Sequence, residues 1–160
     1  MPIEHSTARI TTVGEIMSER LETINFLNTA QEAAIKMSDK NVSSLVVLDD
    51  NGRAVGIITE RDLARRVCTK DIPSSSVTVE NVISSSVETI SPETPIDEIA
   101  DLMVRNKLRH LVVVNKNQEP VGITSATDVV AYVRENGETM AKINSKVIQA
   151  LEREGRHTGI

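Results

Sequence analysis

The 160-residue sequence predicts a mixed α/β protein of the α+β kind, made of two copies of one βαββα domain. Three observations predict it. The heptad GIITERD at 56–62 returns as GITSATD at 122–128, the shift of sixty-six residues that joins them needs no gap, and both copies show the same succession of periodic segments. That shift sets Val13 on Val79, Glu22-Thr23-Ile24 on Glu88-Thr89-Ile90, Met37 on Met103, Leu45-Val46-Val47 on Leu111-Val112-Val113 and Asp62 on Asp128. Roughly a third of the aligned positions are identical, and a period this long describes two small domains rather than solenoid units.

Each copy begins with an extended piece, ETI, that adds a strand. A helix follows. In the second copy Ile96, Ile99, Ala100 and Met103 fall at i, i+3, i+4 and i+7, one face of a helix. Thr94 is placed to cap it, Pro95 suits its first position and Asp97 its first turn. In the first copy Ala30, Ala33, Ala34 and Met37 repeat the stripe, with Asn28 as the cap. Two apolar runs divided by a turn come next, SSLVVLD and RAVGIIT around DNG, then RHLVVVN and VGITS around KNQEP. Val, Ile and Leu runs flanking an Asn-Gly describe a β-hairpin. A second helix closes each copy, carrying Leu63 and Val67, or Val129 and Val133, toward the core.

Outside the repeat, the Ser-rich stretch TKDIPSSSVTVENVISSSV reads as a linker leading into a short helix around VENVIS. Near the end, Met140, Ile143, Val147, Ala150 and Leu151 share one face of a helix over 138–154, with Gly155 as its stop. That stripe has three destinations: its own module, a dimer partner, or an effector protein.

Composition narrows the function classes. The formal charge of −5 gives no basic field for phosphates of nucleic acid. One tyrosine, one phenylalanine and no tryptophan leave no aromatic platform for bases, so a bound purine would sit between aliphatic side chains. The apolar runs are too short to span a bilayer and MPIEHSTARI has no hydrophobic signal segment, which makes a cytoplasmic, non-membrane protein the expectation. Cys68 is the single cysteine; it excludes an intrachain disulfide and a Cys-built metal site, and its place after the last helix of copy one suggests a small, buried or half-buried residue.

The heptads carry the chemistry. Gly56 and Gly122 lie near a strand end and let a ligand or a neighbouring backbone come close. Asp62 and Asp128 offer carboxylate oxygens to a pair of ribose hydroxyls. Thr59 and Ser125 open a helix, where free N–H groups suit a phosphate. The same residues are also close to capping boxes, a hydroxyl at the N-cap and an acid three positions on, and the two roles are compatible.

The doubled βαββα order and the two Gly-hydrophobic-x-[Thr/Ser]-x-x-Asp endings resemble the CBS domain, named for cystathionine β-synthase, over about residues 10 to 135. The resemblance divides the chain into CBS domain 1 at 10–70, a linker at 71–78, CBS domain 2 at 79–135 and a helical extension at 136–160. It implies two domains packed with quasi-twofold symmetry through their sheets, a homodimer of such pairs, and two clefts for AMP, ADP, ATP or S-adenosylmethionine. By resemblance, the Asp62 cleft would contain Thr89, Ile90, Leu108, Arg109 and His110, and the Asp128 cleft Thr23, Ile24, Val42, Ser43 and Ser44. Arg61 and Thr127, inside the heptads, complete the expected nucleotide contacts. Arg109 and His110 are the residue types that hold phosphates, or else a solvated strand start. Ser43 and Ser44 stand in their place in copy one, so the Asp62 cleft is expected to bind the phosphorylated nucleotide tightly, and the Asp128 cleft to bind weakly, to prefer a less charged adenosyl ligand, or to be empty.

Nothing in the sequence suggests catalysis. His5, His110 and His157 are far apart, no serine lies in a nucleophile elbow, and no Walker loop occurs. No metal site is expected. The sequence holds no catalytic or transport domain for a CBS pair to regulate, which suggests a free-standing sensor. Two classes remain: a nucleotide-sensing regulatory module acting on a partner, and a ligand-free adaptor that dimerises and presents its C-terminal helix.

Overall fold

The computed structural model describes residues 11–83 and 87–136. Its elements follow the expected order twice. In the first repeat β1 (Thr23–Asn25) leads to α2 (Ala30–Lys40), β2 (Ser44–Leu48), β3 (Ala54–Thr59) and α3 (Glu60–Arg66). In the second, β4 (Thr89–Ile90) leads to α5 (Ile96–Asn106), β5 (His110–Val114), β6 (Pro120–Ser125) and α6 (Ala126–Asn136). A single helical turn precedes each set, α1 (Val13–Ile16) and α4 (Val79–Val82). The expected helix over 138–154 lies outside the described residues.

Each repeat forms a three-stranded sheet, ordered β1-β2-β3 or β4-β5-β6. The first pairing is parallel and the second antiparallel in both, with Thr23 opposite Val46 and Val46 opposite Ile57. The central strands explain why the sequence shows unbroken apolar runs rather than alternation. Leu45 and Val47 enter one core with Ala30, Ala33 and Met37, whereas Val46 between them joins Val112 and Val114 of the other repeat. Likewise Leu111 and Val113 enter the second core while Val112 faces the first repeat. Both faces of each middle strand are buried, so apolar residues occupy both parities.

The two leading turns are exchanged. Val13 is buried in the second repeat's core, and Val79 and Val82 in the first repeat's core. The hydrogen bonds repeat with the sequence shift. The Val13 and Gly14 N–H groups donate to the Thr94 and Pro92 carbonyls at 2.8 and 2.9 Å, as those of Val79 and Glu80 donate to Asn28 and Phe26 at 2.8 and 3.0 Å. Each repeat therefore completes its core with a residue borrowed from ahead of the other.

The heptad glycines are where the exchanged segments pass. A Cβ on Gly122 would lie 2.5 Å from Met17 Sδ and 3.1 Å from the Ser18 carbonyl, and one on Gly56 would lie 2.7 Å from Ile83 Cδ1. Met17 and Ile83 are themselves sixty-six residues apart. Close approach of a neighbouring chain segment thus accounts for both glycines.

Local details depart from the sequence expectations. The cap of α2 is Thr29, not Asn28; Thr29 and Glu32 form a capping box, and Asn28 Nδ2 donates to Glu32 Oε2 instead. That bond first, and the Thr29 N–H and hydroxyl with it, hold the Glu32 carboxyl below its ordinary value. Because the folded value is depressed, this contribution is present above the usual carboxylate range and is lost as pH falls through it. Pro95, not Thr94, occupies the cap of α5, since the helix begins one residue later at Ile96. Ala34 is exposed rather than in the core, although its counterpart Ala100 is buried. Cys68 is exposed as well, because α3 stops at Arg66 and the chain turns through a 3-10 segment at Cys68–Lys70. The turn at Gly52 keeps its left-handed conformation (φ 76°) in copy two at Gln118 (φ 63°), so the backbone repeats where the residue does not.

Thr124 is fully buried and its hydroxyl has no hydrogen-bond partner among the described residues, whereas Ile58 fills the equivalent place in copy one. Thr124→Val should therefore stabilise the fold by ~1 kcal/mol; urea denaturation measures it, and a loss of stability would contradict the assignment of an unpaired hydroxyl. Gly122→Ala should cost about 1–3 kcal/mol because the Ser18 carbonyl cannot swing aside. Gly56→Ala should cost less, since only a terminal methyl obstructs it; the two midpoints compared in one denaturation series decide this.

Candidate ligand cleft

The heptads form their capping boxes. The Thr59 N–H and Oγ1 donate to Asp62 Oδ2 at 2.9 and 3.0 Å, and Thr59 Oγ1 accepts from the Asp62 N–H at 3.1 Å. The Ser125 N–H donates to Asp128 Oδ2 at 2.8 Å and Ser125 Oγ accepts from the Asp128 N–H at 3.2 Å. Strand-to-helix junctions need such boxes to satisfy the first free N–H groups. Each box engages Oδ2, so Oδ1 of each half-buried aspartate stands outside it. One carboxylate oxygen of each aspartate thus serves the cap.

The start of each middle strand sits beside the box of its own repeat. Ser44 pairs with Thr59 and the Ser43 carbonyl accepts from the Glu60 N–H at 3.0 Å. In the second repeat His110 pairs with Ser125 and the Arg109 carbonyl accepts from the Ala126 N–H at 2.9 Å. Arg109, His110 and Leu108 are half-buried, while Arg61, Thr127 and Thr89 are exposed. Ile24 and Ile90 are each 8% exposed and packed in the cores, so only their main chain is left to meet a ligand. Thr23 is held from behind: Lys36 Nζ donates to its carbonyl and lies 3.9 Å from Glu22 Oε2.

A pocket of about 260 Å³ opens where the repeats meet. Val42, Ser43 and Ser44, with Asn41 before them, form one wall, and Val46 and Ile123 contribute apolar surface from either repeat. Ile123 lies two residues before Ser125 on β6, which places the pocket on the strand that ends in the second box. Thr23, Ile24, Ser125, Thr127 and Asp128 are not among its lining residues.

The remaining wall is one that sequence reasoning missed. The segment crossing from α1 to β1 supplies Ser18, Arg20, Leu21 and Glu22. Ser18 is fastened to β6 by reciprocal bonds with Ile123 at 2.9 and 3.1 Å, and the Glu22 carbonyl accepts from the Val46 N–H at 2.9 Å. Arg20 Nη2 donates to the Lys40 carbonyl at the end of α2, where the helix dipole favours a cation. Arg20 and Glu22 thus place charged residues along this pocket, beside the Ser43 and Ser44 that stand where copy two has Arg109 and His110. The shift pairs Arg20 with Ser86, so the repeat itself gave no sign of it.

No group of His, Cys, Asp and Glu able to hold a metal occurs among the described residues, and none of their helices is long and apolar enough to cross a membrane.

Comparison with known proteins extends these findings. The CBS domain model matches residues 13–69 and 79–135. An uncharacterised 17.7 kDa protein of Acidianus ambivalens is 34% identical over 119 residues, 74% of this chain and 71% of that protein. A CBS domain protein of unknown function from Thermoplasma acidophilum shares the fold at a TM-score of 0.73 and 23% identity, covering 90% of this chain and 78% of its own. A CBS domain protein from Pyrobaculum aerophilum, complexed with AMP, aligns at a TM-score of 0.68 and 25% identity over 78% of this chain and 94% of that one. Two domain matches in register with the internal repeat, each spanning a βαββα unit, make this chain a tandem member of the CBS domain family.

Proposed function

We propose that the chain is a regulatory module that binds an adenosyl nucleotide between its repeats and passes that state to a partner protein. The observation that carries the reading is the inter-repeat pocket itself. It combines apolar surface from Val42, Val46 and Ile123, hydroxyls from Ser43 and Ser44, and the Arg20 cation. An adenosyl compound offers the complementary parts: an aromatic base for the aliphatic walls, ribose hydroxyls for the serine hydroxyls and, beyond the pocket lining, for Asp128, and phosphate for a guanidinium. CBS domains generally bind adenosyl ligands in regulatory roles, and the Pyrobaculum aerophilum relative holds AMP.

In this reading Asp128, Ser43, Ser44 and Arg20 serve one cleft, and Asp62, Arg61, Arg109 and His110 the other. On that assignment each cleft has an arginine, so the difference between them lies in the number of basic groups and in His110 rather than in the presence of a cation. Regulation requires the ligand to favour one spacing of the repeats over another. The crossing segment supplies the means, because it borders the pocket while bonded to β6 at one end and to β2 at the other.

Isothermal titration with AMP, ATP and S-adenosylmethionine, repeated on Asp62→Ala, Asp128→Ala and Arg20→Ala, tests this. Binding of AMP or ATP is expected, with each aspartate variant removing one class of site. Arg20→Ala should weaken phosphorylated ligands about tenfold or more in the Asp128 cleft and leave S-adenosylmethionine little changed. Absence of heat and of a thermal shift with all three ligands would favour the ligand-free adaptor.

A further inference from the structure

Lys36 leaves α2 and reaches the crossing segment that walls the pocket. Its Nζ donates to the Thr23 carbonyl and lies 3.9 Å from Glu22 Oε2, with the lysine side chain 36% and the glutamate side chain 25% exposed. Glu22 lines the pocket two residues from Arg20, whereas Lys36 is not among the lining residues. Left to themselves, Arg20 and Glu22 cancel toward a phosphate, because the guanidinium attracts it and the carboxylate repels it. Lys36 is the ion-pair partner of Glu22, and the three groups together leave one positive charge.

The second repeat shows which of these groups the fold itself requires. Sixty-six residues on, Glu22 returns as Glu88, but Arg20 is replaced by Ser86 and Lys36 by Leu102. Leu102 packs against the second core. The first strand of each sheet nevertheless keeps the same parallel register, with Thr23 opposite Val46 and Thr89 opposite Val112. The sheet therefore forms without a lysine at this point of the helix. The two cations occur together in the copy whose glutamate borders the pocket, and both are missing from the other. Glu88 is exposed and Glu22 half-buried, and a carboxylate drawn out of solvent needs a partner.

We infer that Lys36 sets the charge preference of this pocket, by pairing with Glu22 so that the wall beside Arg20 favours a phosphate. The inference rests on the reading of the cleft as an adenosyl-nucleotide site. It names the residue that tilts that site toward phosphorylated ligands and away from S-adenosylmethionine, whose sulfonium and ammonium groups a bare carboxylate would attract. The Thr23 carbonyl fixes the ammonium in place, so the charge is held at the wall. A pair this exposed has a modest and salt-sensitive strength, which sets the size of the effect at a few-fold. The competing role for Lys36 is a strut that only fastens β1 to α2.

Isothermal titration of the full chain with AMP, ATP and S-adenosylmethionine tests it, in an Asp62→Ala background that removes the other cleft. Lys36→Met keeps the length of the side chain and drops its charge. It should weaken AMP and ATP about three- to fivefold, less at high salt, and should not weaken S-adenosylmethionine. Lys36→Arg should restore AMP and ATP binding. Adding Glu22→Gln to Lys36→Met should restore it as well, since that change removes the carboxylate the lysine offsets; a lost strut would not be replaced by a change at Glu22. Equal losses for all three ligands, or no rescue by Glu22→Gln, would overturn the inference in favour of the strut. Nucleotide affinity indifferent to Lys36→Met would overturn it equally. A wild-type chain that binds none of the three ligands would overturn the functional reading and this inference together, whereas wild-type binding abolished altogether by Asp62→Ala would overturn the inference alone.

Discussion

The exchange of leading turns is the constraint on which the remaining structure depends. Val13 enters the second core and Val79 the first, each held by backbone bonds that recur at the sequence period. Burial of a valine is worth about 1.5–3 kcal/mol, an upper figure because the unfolded chain already hides some of that area. Two such anchors run in opposite directions across one junction. Separating the repeats would open both cores, which makes the junction more than a surface contact between independent folds. The paired sheets then close around Val46, Val112 and Val114, and the ends of that buried strip are where a pocket can form.

The same constraint changes the meaning of the repeated heptad. Its glycine admits Met17 or Ile83 from the exchanged segment, and its hydroxyl and acid cap a helix. Each of these tasks is structural and would preserve the motif without a ligand. Among the described residues the capping bonds of Asp62 and Asp128 all go to Oδ2, and their second carboxylate oxygen takes no part in the box. The features that suit a ligand lie apart from the motif, in the pocket where Arg20, Ser43 and Ser44 meet aliphatic surface from both repeats.

Much of the fold was legible because the sequence states it twice. A weak signal such as ETI becomes a strand when it recurs before the same helix pattern, and the apolar hairpins are marked by Val and Ile in both copies. Helix starts were displaced by one residue, since Asn28, Thr29 and Thr94 all suit a cap and only the local geometry selects among them, placing at α5 a proline that offers no capping bond. Ala34 misled because its identity with Ala100 hid a difference in what lies opposite. The exchange of leading turns was not legible at all. Val13 aligns with Val79 equally well whether each packs on its own repeat or on the other, for periodicity identifies a buried side chain without naming its partner. Arg20 escaped for the converse reason: it has no basic counterpart in the second copy, and attention to the repeat directs the eye away from what is not repeated.

A symmetric scaffold acquires direction where its copies differ. Two identical repeats would give two identical clefts and two identical outer faces, and a ligand could not favour one over the other. Here the departures from symmetry fall in separate places. Arg20, against Ser86, lies beside one cleft; Arg109 and His110, against Ser43 and Ser44, lie at one strand start; Leu27 and Ile35, against Glu93 and Asp101, lie on an outer face. At the centre of the contact between the sheets the residues remain matched, Val46 to Val112 and Ile57 to Ile123, and only toward its edge does Leu48 answer Val114. Packing demands equivalence where the repeats meet, because an unmatched volume there would disturb both cores. Solvent imposes no such demand at the rim. Under the proposed function, discrimination between ligands lies at the positions where the two copies differ.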